Sequence, residues 1–228
     1  MFRIGGIEKM NELLLFIEII IMFSIVLLVN KLFKKEGLIA YIGLASILAN
    51  IEVAKQITIF GLDATLGNVM FASTFLATDI LAEYYSKKDA IKGVNVGLAS
   101  VLIYLLCSQI TLWFTPNTLD FANESMKTLF SLAPRICISS VVMYYIANRI
   151  DVMLYSKLKE KNTKMWVRNN LATIICNCTE NFGFNFLAFY GVFDMNTILS
   201  ISITTCIIET IIALCDTPFL YLARKGNK

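Results

Sequence analysis

The chain contains no histidine and only three prolines. Without imidazole, histidine-based zinc sites and histidine proton relays are excluded. The scarcity of proline, with no Ser- or Gly-rich stretch, leaves no candidate linker and points to one domain over residues 1–228. Charge is scarce too. Asp, Glu, Lys and Arg make up 16% of the chain, whereas soluble domains carry about a quarter. No A-x-A exit follows the first apolar run, so no cleavable signal is expected.

What fills the chain instead is apolar. Hydrophobic residues account for 57% of it, and mean hydropathy is +0.68. They fall in blocks close to the roughly 20 residues that cross a bilayer as a helix. Lipid leaves an open strand without backbone partners, so helices are the expected element. The pattern predicts an all-α polytopic membrane bundle of about seven transmembrane helices, near 13–32, 38–60, 67–85, 91–114, 129–155, 168–192 and 196–223. If the first run lay on the membrane surface, six spans would remain. One set of loops holds fourteen basic residues: Lys31, Lys34 and Lys35; Lys87, Lys88 and Lys92; Lys157, Lys159, Lys161, Lys164 and Arg168; Arg224, Lys225 and Lys228. The alternate set holds Arg3, Lys9 and Lys127. Positive residues favour the cytoplasmic side. The expectation is a multi-pass protein of the cytoplasmic membrane, C-terminus inside and N-terminus outside.

All six cysteines lie in apolar runs and read as small hydrophobes. Cys176 and Cys178 fall on different sides of a helix, so packing is favoured there over a metal site. No cofactor is expected. Gly93 with Gly97 and Ala45 with Ala49 have the small-x-x-x-small spacing that lets helices approach closely.

Against this background the acids stand out, because a charge in a bilayer costs a few kcal/mol or more and usually faces the bundle interior. Glu52, Lys55 and Gln56 share a helical face, so Glu52 and Lys55 can pair, either structurally or as a pair that a ligand opens. Asp79 and Glu83 lie one turn apart, with Phe75 a turn before, and Glu83 falls beside Lys87 and Lys88. Asn170, Thr173, Asn177, Glu180, Asn181 and Phe184 form a polar stripe in which one carboxylate is flanked by two amides. Glu209 and Asp216 lie seven residues apart on one face, followed by Thr217-Pro218, where proline frees a carbonyl near Leu214. Arg135 lies too deep to snorkel and is read as answering one of the acids, while Arg149 and Asp151 are read as interfacial. The deep excess is acidic, which suits a cationic ligand, a transported cation or bound protons.

The tract TFLATDILAEYYSKKDA, Thr74 to Ala90, resembles the signature of the queuosine precursor transporters, once grouped as vitamin uptake proteins. Lys55 with Phe60-Gly61, Arg168-Asn169-Asn170, the Phe186 to Gly191 segment and Asp216-Thr217-Pro218 with Tyr221 are similar too, over about residues 40–223. The resemblance implies uptake of a 7-deazaguanine (preQ0, preQ1 or queuine), a small purine-like base, by a protein in the lipid bilayer. It implies no nucleic-acid partner, while a homo-oligomer stays open. The substrate-binding residues expected on this reading are Asn177, Glu180, Asn181, Glu209, Glu52, Lys55, Asp79, Asp216, Phe75 and Phe184, with Phe182 and Trp113 as further aromatic walls. Glu209 stands where the family more often carries lysine. The added carboxylate favours the amine-bearing preQ1 or queuine over preQ0. The competing reading is a substrate-binding membrane subunit of a multi-component ATP-driven uptake system. An enzyme is disfavoured, since no nucleophile–histidine set can exist.

Overall fold

The computed structural model describes residues 4–52, 55–59, 62–131, 134–191 and 194–226. The first apolar runs form α1 (Ile4–Glu52), which is not one rod. Lys34 takes φ 54° and ψ −144°, and the chain reverses there. Gly37 records the reversal. A Cβ on it would lie 3.0 Å from Val29 Cγ1, eight residues earlier, a separation of about 12 Å along an unbroken helix. Two limbs, up to residue 33 and from residue 35, therefore form an αα-hairpin in which only a glycine fits the inside of the corner.

Then follow β1 (Gln56–Ile59), β2 (Leu62–Thr65), α2 (Asn68–Tyr84), α3 (Lys87–Trp113), α4 (Asn123–Phe130), α5 (Pro134–Glu160), α6 (Met165–Phe189) and α7 (Met195–Gly226). Three stretches, Met10–Glu52, Lys87–Trp113 and Ile198–Ala223, are long and apolar enough to cross a membrane by length and composition alone. With two limbs in α1 and α4 a short surface helix, the long helical segments among the described residues number seven. The sequence reading and the structure agree on an all-helical membrane bundle.

The structure departs from the expected spans in two places. The second expected span, 38–60, stops at Glu52, and β1 pairs antiparallel with β2, from Gln56↔Thr65 to Ile59↔Leu62. The β-branched Ile57, Thr58 and Ile59 favour extended backbone. Each strand supplies the other's backbone partners, and Ile59 is buried in the core, the circumstance in which a membrane protein tolerates non-helical backbone. The fifth span, expected at 129–155, runs five residues later, because α4 takes 123–130.

The lysine-rich connections gather at one end. Lys35 pairs with Asp89 at 3.4 Å, Tyr85 Oη donates to Asn30 Oδ1 at 2.8 Å, Lys159 Nζ donates to the Ala82 carbonyl at 2.8 Å, and Tyr84 Oη donates to the Leu220 carbonyl at 3.0 Å. We call this the basic end. The β1–β2 pair, α4 and the connection from α6 to α7 belong to the alternate set. The N-terminal limb of α1 packs into the bundle, with Phe23 edge-on to Phe219 of α7 at 5.3 Å.

Helix α2 sits at the centre. Thirteen of its 17 residues are buried, against α1, α3, α5 and α7. Its threonine hydroxyls are satisfied within the helix: Thr74 and Thr78 donate to the carbonyls of Phe71 and Phe75 at 2.7 and 2.8 Å. The small residues serve packing, as expected. Cβ atoms on Gly93 and Gly97 would lie 2.7 Å from Ile42 and 2.1 Å from the Tyr144 hydroxyl. One expectation of simple cysteine packing fails, since a disulfide joins Cys178 of α6 to Cys206 of α7.

Candidate functional site

On α6 the stripe read from the sequence faces inward. Thr173 and Asn177 are buried, while Leu171, Ile175, Phe182 and Phe186, a third of a turn or more away, are exposed. The inward face meets α7 across Glu209 and Asp216, α5 across Asp151 and α2 across Asp79. Two acid groups result.

The first unites three helices. Asp79 and Asp151 are fully buried and Asp216 is 1% exposed. Asp79 and Asp151 are electrostatic neighbours of each other and of Asp216. Asn169 Nδ2 donates to Asp216 Oδ1, and Asn170 Nδ2 donates to Thr217 Oγ1 at 2.8 Å. Among the described residues none of the three aspartates forms an ion pair.

The second group joins α6 and α7. Asn181 Nδ2 donates to Glu209 Oε2 at 2.6 Å, and the Glu209 charge reaches Glu180. Asn177 stands one turn before Asn181. The aromatic side is Phe75, buried against Ala147 and Cys176, with Phe71 edge-on to it at 5.3 Å and Phe71 edge-on to Tyr144 at 5.5 Å. Cys176 lies between the two acid groups. Its thiol donates to the Ala147 carbonyl at 3.0 Å and feels Asp151, Glu180 and Asp79.

Among the described residues most buried polar atoms left without a partner here are acceptors, the Nε–H groups of Arg149 and Arg168 being the exceptions. They include both carboxyl oxygens of Asp79 and of Asp151, Oδ1 of Asn148, Asn169, Asn170 and Asn177, Oγ1 of Thr173 and Oε2 of Glu180. A buried polar atom without a partner costs about 1–3 kcal/mol, and native proteins keep few of them. A seam of them along α2, α5 and α6 is a place for something that donates hydrogen bonds.

At the basic end Glu83 is answered. Arg168 Nη2 bonds its carboxylate, Lys159 Nζ lies 3.6 Å from Oε2, and the Arg168 guanidinium stacks over Tyr155 at 5.6 Å. Beside this network opens a cavity of about 410 Å³ lined by Glu83, Tyr84, Lys164, Met165, Trp166, Arg168 and Tyr221.

The structure thus brings together Asn177, Glu180, Asn181, Glu209, Asp79, Asp216 and Phe75, with Phe184 half-buried a turn beyond Asn181 on the stripe. It separates Glu52 and Lys55. The helix ends at Glu52, so Lys55 leaves the shared face; Lys55 is exposed and Glu52 Oε2 has no partner. Trp113 is 79% exposed and no wall of this seam. The side chain of Arg135 lies outside the described residues. Arg149 bonds Asn95 of α3 at 3.1 Å. Asp151, read as interfacial, is buried because α5 continues to Glu160, which puts it about two and a half turns inside the helix end. Asn148 and Asn169 were missed as site residues. The spacing Asn148-x-x-Asp151, one helical face, was the available signal.

Comparison with known proteins follows this geometry. The family model described as "Putative vitamin uptake transporter" matches residues 65–223. The chain is 35% identical over 209 residues to a "Probable queuosine precursor transporter" of Bacillus subtilis (strain 168), covering 90% of this chain and 91% of that protein. It is 27% identical over 131 residues to a protein of the same description from Haemophilus influenzae (strain ATCC 51907 / DSM 11121 / KW20 / Rd), covering 58% of this chain and 54% of the relative. No solved structure matches.

Proposed function

Since the chain belongs to the queuosine precursor transporter family, we propose that it carries a 7-deazaguanine across the cytoplasmic membrane into the cell, with its basic end in the cytoplasm. The cargo site on this reading is the Glu180 group. A guanine-like ring presents an N–H and an NH2 side by side, which one carboxylate accepts together, and an amide N–H can meet the ring carbonyl. Glu180 Oε2 and Asn177 Oδ1, both buried and without partners, are the observation that carries this reading. Phe75 and Phe71 supply flat apolar surface on the facing side. Glu209, held by Asn181, adds a second carboxylate and favours a cargo bearing an amine, preQ1 or queuine rather than preQ0. Asp79 and Asp216 stand deeper toward the basic end, and Glu52 and Lys55 stand apart.

The test uses a strain that can neither make nor import the base, supplied with each precursor separately at low concentration. The wild-type chain should restore queuosine in tRNA. Glu180→Ala should abolish restoration at unchanged protein level in the membrane, because it removes the group that accepts both donors. Normal transport by that variant would show that α6 does not hold the base.

A further inference from the structure

The Asp79 group has no role in binding the base as assigned above, yet its three aspartates are buried. We propose that Asp79 and Asp151 together bind a proton whose inward movement drives uptake of the base, with Asp216 and Asn169 lining that site; this rests on the transport reading above. Two neighbouring carboxyls shut away from water, with no ion pair on either among the described residues, keep a proton between them, since like charges side by side repel. Among the described residues no cation forms an ion pair with Asp79, Asp151 or Asp216. From α5 Asp79 meets Asp151 and Tyr155, from α6 Cys176, from α7 Asp216, and on its own helix Glu83. Arg168 and Lys159, the nearby bases, are both engaged by Glu83.

A second observation points the same way. Asn169, fully buried, gives its amide N–H to Asp216 and leaves its own Oδ1 without a donor. Asn148, also fully buried and one turn from Asp151, gives its amide to the Tyr144 carbonyl at 2.9 Å and leaves its Oδ1 unmatched. The site holds acceptors in excess, so its guest brings hydrogen or positive charge. Among the described residues no group of three His, Cys, Asp or Glu side chains is placed to hold a metal ion. Acidic side chains facing a bundle interior serve as proton relays in pumps and transporters. Cys176, felt by Asp151 and Glu180 alike, puts the proton site and the cargo site side by side on α6, so occupancy of one changes the field at the other.

Purified protein in liposomes, with the membrane potential clamped at zero, separates the two claims. Exchange of external labelled preQ1 for internal unlabelled preQ1, without any gradient, reads transport alone. Accumulation of labelled preQ1 under a gradient of one pH unit, acid on the side opposite the basic end, reads coupling. One proton per base supports accumulation up to about tenfold. The wild type should exchange and should approach that ratio. Asp151→Asn should bring the ratio with and without gradient to one, and Asp151→Glu, which keeps the carboxyl, should recover part of it. Exchange without gradient-driven accumulation in the wild type would overturn the proton site and leave the transport reading standing. So would an undiminished ratio in Asp151→Asn. Absence of exchange in the wild type would overturn both.

Discussion

Glu209 concentrates the question of which precursor is carried. Its Oε2 takes the Asn181 amide at 2.6 Å, and its charge reaches Glu180. A cationic amine placed near both carboxyls relieves their repulsion, and a hydrogen bond to a charged group is worth about 1.5–3 kcal/mol. Glutamine at this position keeps the size and keeps an acceptor for Asn181. Glu209→Gln should therefore fold normally and lose preference for preQ1 over preQ0 by about tenfold, read as the ratio of the two concentrations that halve uptake of a labelled precursor. Equal uptake of preQ0, preQ1 and queuine by the wild type, unchanged in the variant, removes the basis of the preference. At this scale the sequence was a fair guide wherever periodicity alone decided the face. Asn177, Glu180 and Asn181 were read as one stripe and lie as one. Asp151 was not readable, because its depth depends on where α5 ends and no cap or proline marks that end. Asn169 was visible only inside a tract valued for its resemblance, without any assigned partner.

Between elements, a buried polar tie joins α2 to α6 and α5 through Glu83. The Glu83 and Arg168 side chains are only 12% and 10% exposed. Breaking a buried pair leaves an uncompensated charge and costs about 3–5 kcal/mol, whereas replacing both partners by neutral groups of similar volume is often nearly neutral. Glu83→Gln should lower the thermal unfolding midpoint in detergent, and adding Arg168→Met should restore most of it. A single variant as stable as the wild type would show that the tie is solvated and slack. The elements themselves were largely foreseeable, since five long apolar runs became single helices near their expected places. The exceptions have local causes. The corner at Lys34 lay between two expected spans, but that the limbs fold together as a hairpin depends on Gly37, a residue unremarkable in a sequence. The strands β1 and β2 were hidden in an apolar run, where β-branched residues serve a strand and a buried helix equally well.

For the molecule as a whole, the lysine-rich loops meet at one end, and the proposed orientation puts that end in the cytoplasm. Lys88 at the start of α3 and Lys127 on α4 belong to opposite ends and are both exposed. In intact cells a membrane-impermeant maleimide should label Lys127→Cys and not Lys88→Cys, each measured against the parent chain. The reverse pattern would invert the topology. A last consequence comes from the sheathed position of α2. A segment this short, carrying Ser73, Thr74, Thr78 and Asp79 and touching its neighbours on every side, gains little from meeting acyl chains on its own. Its residence in the bilayer is a collective property, secured only once α3, α5 and α7 have been synthesised and have closed around it, so a nascent chain halted after α2 would hold Asp79 in the least secure segment it has made.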